Sequence, residues 1–211
     1  MFRKAGQRMI GEGAFGQVFE SPIPGRVVKT QSSPRLLMDD PDAMANEANM
    51  QRAAAKLGLA PAVTESGIDD NGRAFIEMRD VRDNFERHGK KARGFPEGMD
   101  AVRVNQQLGQ LALNNVELQD RHNNNVFYNK MTGRPTQIDF GSSWNVEGAD
   151  RVQALTSATS DGFDAAGVPE MGDILRGIVY DHLEGGQIDE AYDVARQGFS
   201  RLQKIKKIAP R

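Results

Sequence analysis

The sequence of 211 residues contains no cysteine, which excludes disulfide bonds and cysteine-ligated zinc sites. No stretch approaches the roughly 20 apolar residues of a membrane-spanning helix, and residues 1–10 lack the apolar run of a secretory signal peptide. A large excess of one charge is also missing, because 27 Lys and Arg face 29 Asp and Glu. Bulk charge therefore does not indicate a nucleic-acid binder. We expect a soluble protein that binds neither membranes nor nucleic acid.

The pattern of apolar residues and breakers divides the chain into two predicted lobes. Residues 1–78 are predicted to form strands over 7–11, 17–20, 26–30, 61–67 and 73–78, with one helix over 43–57. Residues 79–211 are predicted to form helices over 100–114, 171–183 and 188–208, short strands over 126–128 and 137–138, and a long loop over 142–167. The pattern predicts a bilobal α+β fold with a small antiparallel β lobe and a reduced, mainly helical lobe.

A glycine-rich turn separates the first two predicted strands. Its pattern, Gly11-x-Gly13-x-x-Gly16-x-Val18, also occurs in ordinary hairpins and in dinucleotide-binding turns. A dinucleotide-binding turn leads directly into a helix, whereas residues 17–20 have the pattern of a strand. Because glycine has no side chain to keep a phosphate from the backbone, a turn between two strands fits a flap over the phosphates of ATP.

Lys29 closes the third predicted strand. Taken alone, this position favours a surface lysine at a strand end over a strand lysine that pairs with the α- and β-phosphates of ATP. Glu47 lies in the following helix, on one face with Met50, Gln51 and Ala54. That face can turn towards the strand, so Glu47 is the candidate partner of Lys29.

Three polar residues of the second lobe suit a magnesium-dependent transfer. Asn125 follows Asp120 by five residues, and the triplet Asp139-Phe140-Gly141 begins fourteen residues after Asn125. Mg²⁺ prefers oxygen ligands, which Asn125 and Asp139 supply, and Asp120 can accept the proton of an attacking hydroxyl. A polar loop could also explain Asp120 and Asn125, and a turn that ends a strand could explain Asp139-Phe140-Gly141. Such alternatives would have to produce five elements in one order: the glycine-rich turn, the strand lysine, the helix glutamate, the Asp-Asn pair and the Asp-Phe-Gly triplet.

The order of these elements resembles that of protein kinases and their relatives, over about residues 10–141. The resemblance implies a protein-kinase-like fold that uses ATP and Mg²⁺. It implies that Lys29 pairs with phosphate and with Glu47, that Asp120 is the catalytic base, and that Asn125 and Asp139 bind Mg²⁺. Residues implied to bind the nucleotide are Gly11, Gly13, Gly16, Val18 and Lys29, together with the backbone of a hinge formed by Glu77, Met78 and Arg79.

The chain departs from ordinary protein kinases around Asp120. Gln119 replaces the Arg before it, and His122 replaces the Lys two residues after it. The pattern Asp-x-His is similar to that of aminoglycoside-phosphotransferase-type kinases. We expect His122 to take over the transition-state role of that Lys. Because Gln119 has no charge to bind a phosphorylated loop, we also expect activity without phosphorylation of residues 142–167.

Two further matches lie closer together than in an ordinary kinase. Val168-Pro169-Glu170 resembles the end of an activation segment, and Asp173 resembles the residue of a helix that anchors the catalytic loop from below. The interval is too short for both, so at most one is expected to have its family role.

In size the chain is similar to the minimal effector kinases of plant-associated bacteria that phosphorylate the Hsp90 chaperone. We expect a monomeric Ser/Thr protein kinase with a protein substrate, and the resemblance makes a host chaperone a candidate. We expect a cytoplasmic location, or delivery into a host cell without a classical signal peptide. Two alternatives stay open: a small-molecule phosphotransferase and a nucleotide-binding pseudokinase scaffold. The intact active-site residues argue against the scaffold, and the Ser- and Thr-bearing segment after Gly141 favours a protein substrate.

Overall fold

The computed structural model describes residues 8–13, 16–31, 42–87 and 94–206. The tip of the glycine-rich turn, residues 14–15, lies outside the described residues, as do residues 207–208 at the predicted end of the last helix. Within the described ranges, no helix combines the length and apolarity that a membrane crossing requires.

The first lobe is a five-stranded antiparallel sheet with one helix against it. The strands lie in the order β1-β2-β3-β5-β4, so β3 and β5 are interior and carry the most buried residues. Helix α1 packs Met44 and Ala48 against Val27 and Ile76 of these strands. The elements of this lobe are β1 (Met9–Gly13), β2 (Gly16–Glu20), β3 (Arg26–Gln31), α1 (Ala43–Lys56), β4 (Val63–Ile68) and β5 (Ala74–Arg79).

The second lobe is built mainly from helices, with α3 packed against the other three. Leu155 and Phe163 of α3 share one core with Phe199 of α5. Its elements are β6 (Phe85–Glu86), α2 (Gly98–Leu113), β7 (Val116–Leu118), β8 (Val126–Asn129), β9 (Pro135–Gln137), β10 (Ser143–Asn145), α3 (Gly148–Ala165), α4 (Pro169–Glu184) and α5 (Ile188–Leu202). The bilobal α+β architecture predicted from the sequence is therefore confirmed.

The long loop predicted over residues 142–167 is wrong. Strand β10 pairs with β7, with Ser143 opposite Leu118, and α3 follows as an 18-residue helix. The Ser, Thr and Gly content of this segment suggested a loop, but tertiary packing makes it a helix. Thr156 and Thr159 donate their hydroxyl groups to carbonyl oxygens one turn earlier in the helix, which satisfies them inside a core.

A glycine of α3 explains why this helix packs so closely against α5. A Cβ atom at Gly162 would lie 2.5 Å from the side chain of Leu202, so only glycine leaves room for that leucine. Leu202 is fully buried, and the contact binds the last helix to the centre of the lobe. The segment after Gly141 is therefore part of the hydrophobic core and not an activation loop.

The buried hydroxyl groups of α3 should not be phosphorylation sites. Thr159 is fully buried and Ser157 is exposed on the same helix. Thr159→Asp would bury an unpaired charge and is expected to lower the free energy of unfolding by about 3 kcal/mol. Ser157→Asp, its matched control, is expected to change it by less than about 0.5 kcal/mol. Urea unfolding of both variants measures the difference.

The same burial predicts full activity from protein that mass spectrometry shows to be unmodified. The time course should then be linear from the first turnover, because no loop has to be ordered by a phosphate. A lag that disappears as phosphate accumulates on Ser142, Ser143, Thr156, Ser157, Thr159 or Ser160 would contradict this account.

The matches at Val168-Pro169-Glu170 and Asp173 do not have their family roles. Pro169 is the first residue of α4, where its missing N–H has no helical partner to lose, and no loop precedes it for the motif to close. The Asp173 carboxylate is exposed and accepts a hydrogen bond from Arg176 at 2.7 Å. It therefore does not anchor the catalytic loop.

The last helix is shorter than predicted and ends at Leu202 rather than residue 208. The side-chain amide of Gln106 in α2 donates to the carbonyl oxygens of Leu202 and Ile205. These bonds occupy carbonyl groups that no longer have a helical partner at this end, which the local sequence pattern does not reveal.

Candidate active site

The two lobes meet at a buried lysine that contacts two carboxylates. Lys29 Nζ lies 2.6 Å from Glu47 Oε1 and 2.7 Å from Asp139 Oδ1. Lys29 comes from the interior strand β3, Glu47 from the buried face of α1, and Asp139 follows β9 of the second lobe. The predicted pairing of Lys29 with Glu47 is present, and the same ammonium group also binds Asp139.

Burial and charge act in opposite directions on this lysine and its glutamate. Burial lowers the pKa of Lys29, but the two carboxylates outweigh it and raise that pKa above its ordinary value. Burial raises the pKa of Glu47, and Lys29 and the backbone N–H of Phe140 offset only part of this rise. Lys29 therefore keeps its charge, and it contacts one carboxyl group from each lobe.

The backbone at Asp139 has a conformation that non-glycine residues rarely adopt. Its φ is 61°, in the left-handed region, which costs on the order of 1 kcal/mol or more. The next residue, Phe140, is buried in the second lobe, and its N–H donates to the carboxylate of Glu47. These contacts hold the strained turn and direct the Asp139 carboxylate to Lys29.

The loop from Asp120 to Asn125 is organised by His122. The ring Nδ1 accepts a hydrogen bond from the N–H of Asn124 at 3.2 Å, and Nε2 lies 3.1 Å from Asp120 Oδ1. Since Nδ1 accepts, the network assigns the proton to Nε2, which donates to Asp120. His122 therefore orients the predicted catalytic carboxylate and caps the short 3-10 turn Asn123–Asn125.

Asn125 and Asp139 are neighbours with oxygen atoms available for a cation. The N–H of Ile138 donates to the carbonyl of Asn125 at 2.8 Å, which places Asp139 beside it. The side-chain nitrogen of Asn125 donates to the backbone oxygen of Asp120, and its side-chain oxygen is the candidate ligand for a cation. Mg²⁺ is usually held by one or two such ligands together with substrate phosphates, and these two residues fit that set. The described residues contain no group of three His, Asp or Glu that could hold a metal alone.

The glycines of the first hairpin have different surroundings. A Cβ atom at Gly16 would lie 2.7 Å from the carbonyl oxygen of Thr30, so packing of β2 on β3 requires glycine there. At Gly13 no atom of the described residues lies within 4 Å of such a Cβ. Gly11 lies opposite Val18 in the hairpin. Open space beside Gly13 is compatible with the predicted approach of phosphates.

The predicted hinge residues form the end of β5. Glu77 pairs with Val28, the residue before Lys29 in β3. Because successive side chains of a strand point to opposite faces of the sheet, Glu77 and Lys29 lie on opposite faces. There Ser21, Arg26 and Thr64 donate to its carboxylate, which outweighs burial and lowers the pKa of Glu77. Any adenine contact by Glu77 would therefore have to use its backbone.

The other two hinge residues differ in exposure. Met78 is buried, and its sulfur accepts from the side chain of Gln51 in α1. Arg79 is exposed, and its N–H donates to the carbonyl of Ala62. An adenine site at this hinge stays a prediction.

Two contacts that support the catalytic loop were not found from the sequence. Arg121 lies 3.5 Å from Asp161 of α3. Asn123 donates its N–H to the carbonyl of Gly94 at 2.7 Å. No local pattern marks them, because both partners are distant in sequence.

His122→Ala is expected to lower kcat and kcat/KM together, with little change in the KM for ATP. The loss follows because Asp120 loses the donor that orients it and Asn124 loses its acceptor. Steady-state kinetics with ATP varied measures both parameters.

Two replacements separate the functions of His122. His122→Asn returns an acceptor for the turn but no donor to Asp120, and His122→Lys returns a donor and a charge. Partial recovery of kcat with Lys but not with Asn supports the transition-state role. Wild-type kcat in His122→Ala, or no advantage of Lys over Ala in a folded protein, would make His122 purely structural.

Comparisons with known proteins give a resemblance in structure alone. No protein-family model matches the chain, and no curated protein matches it. Many solved structures match, among them the kinase domain of PknI from Mycobacterium tuberculosis. That domain is 22% identical over 78% of this chain and 75% of that chain, with a TM-score of 0.49. At this identity and TM-score the comparison assigns neither a family nor an activity, so function has to be inferred from the geometry of the site.

Proposed function

We propose that the protein is an ATP- and Mg²⁺-dependent kinase that transfers the γ-phosphate to a Ser or Thr hydroxyl of a protein substrate. The observation that carries this proposal is the contact of Lys29 with both Glu47 and Asp139. A buried lysine bound by a helix glutamate of one lobe and by a carboxylate of the other is a device for placing charge on phosphate groups.

Each residue has a distinct task in the proposed reaction. Lys29 donates to the α- and β-phosphates while Glu47 holds it in place. Asp120, oriented by His122, accepts the proton of the attacking hydroxyl as its oxygen bonds to phosphorus. Asn125 and Asp139 would hold Mg²⁺, which offsets the charge that builds on the transferring oxygens. The bond that breaks joins the γ-phosphorus to the bridging oxygen of ADP.

The acceptor is proposed to be a protein, with a small molecule as the second candidate. The Ser- and Thr-bearing segment after Gly141 no longer supports a protein acceptor, because it forms β10 and α3. The support that remains is the openness of the site: the Asp120 side chain is 38% exposed. No helix of the described residues is inserted between β8 and α3 to enclose a small substrate.

The closer likeness to effector kinases that phosphorylate a chaperone also remains a proposal. It is supported by the small second lobe, in which α3 follows Gly141 after only a three-residue strand. A monomer located in the cytoplasm, its own or that of a host, is part of the same proposal. The pseudokinase alternative is disfavoured because each proposed catalytic group is present and contacts a neighbour.

Incubation with γ-labelled ATP, Mg²⁺ and a cell lysate tests the proposal. The label is expected in a protein band and, after acid hydrolysis, in phosphoserine or phosphothreonine. Label found only in a small molecule by chromatography would favour the second candidate. No transfer by a protein that binds ATP would favour the scaffold.

A further inference from the structure

A cavity lies where the end of α1, helix α2 and strand β9 meet, and none of the proposed catalytic residues lines it. Its volume is about 350 Å³, within the lower range of small-ligand pockets. Its apolar lining residues are Leu57, Leu59 and Pro135. Its polar lining residues are Arg103, Arg134 and three glutamines of α2.

The two arginines have donors that the described residues leave unused. Arg103 reaches only Asp100 at 3.5 Å and the carbonyl of Gly133 at 3.4 Å, through a single nitrogen. The side chain of Arg134 has no hydrogen bond or ion pair with the described part of the chain. A guanidinium has five N–H donors, and no carboxylate lines the cavity. The cavity therefore favours a ligand with several acceptor oxygens.

The glutamines of the cavity wall are held by hydrogen bonds. Gln107 donates to the carbonyl of Pro135 at 2.6 Å and accepts from Gln137 at 3.1 Å. Gln106 donates to the carbonyl of Leu202 at 2.8 Å. These bonds fix the glutamines of the cavity wall relative to β9 and to the end of α5. A preformed wall lowers the entropic cost of binding.

The cavity lies on the joint between the elements that carry Glu47 and Asp139. Leu59, just after α1, accepts hydrogen bonds from the N–H of Gln137 at 2.8 Å and from the hydroxyl of Thr136 at 3.3 Å. Strand β9 ends two residues before Asp139, and α1 holds Glu47. A ligand that touches both sides of this joint can favour one position of α1 relative to β9, and thereby the contacts of Lys29.

We propose that this cavity is an effector site for a small organic anion, one with a phosphate or carboxylate group on an apolar body. Its acceptor oxygens bind Arg103 and Arg134, and its apolar body covers Leu57, Leu59 and Pro135. Occupation changes the affinity of the active site for nucleotide. Only this last part rests on the proposed function, because binding itself requires no phosphoryl transfer.

Calorimetric titration with phenyl phosphate tests the binding. Binding to the wild type is expected, and Arg103→Ala combined with Arg134→Ala should weaken it by about tenfold or more, since two charge-assisted contacts are lost. Arg196→Ala, which removes an exposed, ion-paired arginine of α5, is the matched control and should bind as the wild type does. All three arginines are at least partly exposed, so folding is expected to survive, and thermal melts check it.

Benzyl alcohol and inorganic phosphate separate the two halves of the recognition. Each is expected to bind at least tenfold more weakly than phenyl phosphate, because the first lacks the charge and the second the apolar body. Absence of phenyl phosphate binding overturns the proposal, and so does binding that the double arginine variant leaves unchanged.

A second titration tests the coupling. The single tryptophan, Trp144, lies three residues after Gly141 and donates to Glu117, so its fluorescence can report nucleotide binding. Saturating phenyl phosphate should change the affinity for ADP by about fivefold, and the effect should vanish in the double variant. An ADP affinity that phenyl phosphate does not alter contradicts the effector role. If ADP itself does not bind, the proposed function fails, and the calorimetry still decides whether the site exists.

Discussion

Replacement of Asp139 by asparagine is expected to lower phosphoryl transfer by a factor on the order of 10²–10³ or more. The substitution removes the carboxylate charge that faces Lys29 and the proposed Mg²⁺ site. Asparagine tolerates the left-handed backbone found at Asp139, so the turn should keep its shape. Rates under single-turnover conditions, with Mg²⁺ and ATP saturating, measure the loss.

Alanine at residue 139 is expected to lower phosphoryl transfer as much as asparagine does and to lower the stability of the fold as well. A left-handed alanine is strained by on the order of 1 kcal/mol, so Asp139→Ala should also melt at a lower temperature than Asp139→Asn. Asp173→Ala is the matched control, because it removes an exposed carboxylate of α4 and should leave the rate unchanged. A folded Asp139→Asn protein with near-normal turnover would remove Asp139 from the metal site.

Replacement of Lys29 by methionine is expected to have two effects, one on activity and one on stability. Loss of its charge should lower turnover by a factor on the order of 10²–10³. It also leaves Glu47, which is 4% exposed, without its main partner, and breaking a buried pair in this way costs about 3 kcal/mol. A loss of activity alone would therefore not distinguish the chemical role from unfolding.

The pH dependence of stability separates these effects. Burial already raises the pKa of Glu47 above its ordinary value of 4.5, and removal of Lys29 should raise it further. A carboxyl group with a raised folded-state pKa contributes stability below pH 4.5 that is lost as the pH rises through the folded-state value. Unfolding experiments should therefore show a larger destabilisation of Lys29→Met at neutral pH than at pH 4.5.

The double variant Lys29→Met with Glu47→Gln is the control for this measurement. It has no titrating group at residue 47, so the extra loss of stability above pH 4.5 should disappear while the loss of activity remains. Recovery of turnover together with stability in the double variant would show that Lys29 has a structural role only.

The sequence was most informative where chemistry requires particular residues in a particular order. Lys29 and Glu47 were paired in advance, and the structure places them 2.6 Å apart. The two short strands between Asn125 and Asp139 were also predicted, because turn residues separate two short segments there. Such signals are local and can be read without knowledge of the rest of the fold.

The sequence was least informative where packing between distant segments decides the structure. The helix over Gly148–Ala165 was predicted as a loop, because its buried Thr and Ser residues become compatible with a core only through hydrogen bonds and contacts with α5. The two hydrogen bonds of His122 could not be predicted from the sequence either, because only the folded loop brings its ring to Asp120 and Asn124. The cavity beside α1 and β9 could not be predicted either, because it combines Leu57, Gln107 and Arg134 from three separate segments of the chain.

The presence of α3 in place of a loop bears on how the proposed activity could be controlled. In this chain β10 pairs directly with β7, and the carbonyl of Ser142 accepts from the N–H of Gln119, the residue before Asp120. The segment after Asp139 and the segment before Asp120 thus order each other without a phosphate. Regulation would have to act elsewhere, and the cavity beside α1 and β9 is our proposed place.

Transfer of label from ATP to protein tests the central claim most directly. Parallel reactions contain ATP labelled at the γ-phosphate or at the α-phosphate, with wild-type protein and with Asp120→Asn, which keeps the shape of the side chain but cannot accept the proton. The account predicts transfer from γ-labelled ATP by the wild type, none from α-labelled ATP, and a loss on the order of 10² or more in the variant. Transfer from α-labelled ATP, or equal transfer of the γ-label by Asp120→Asn, would contradict it.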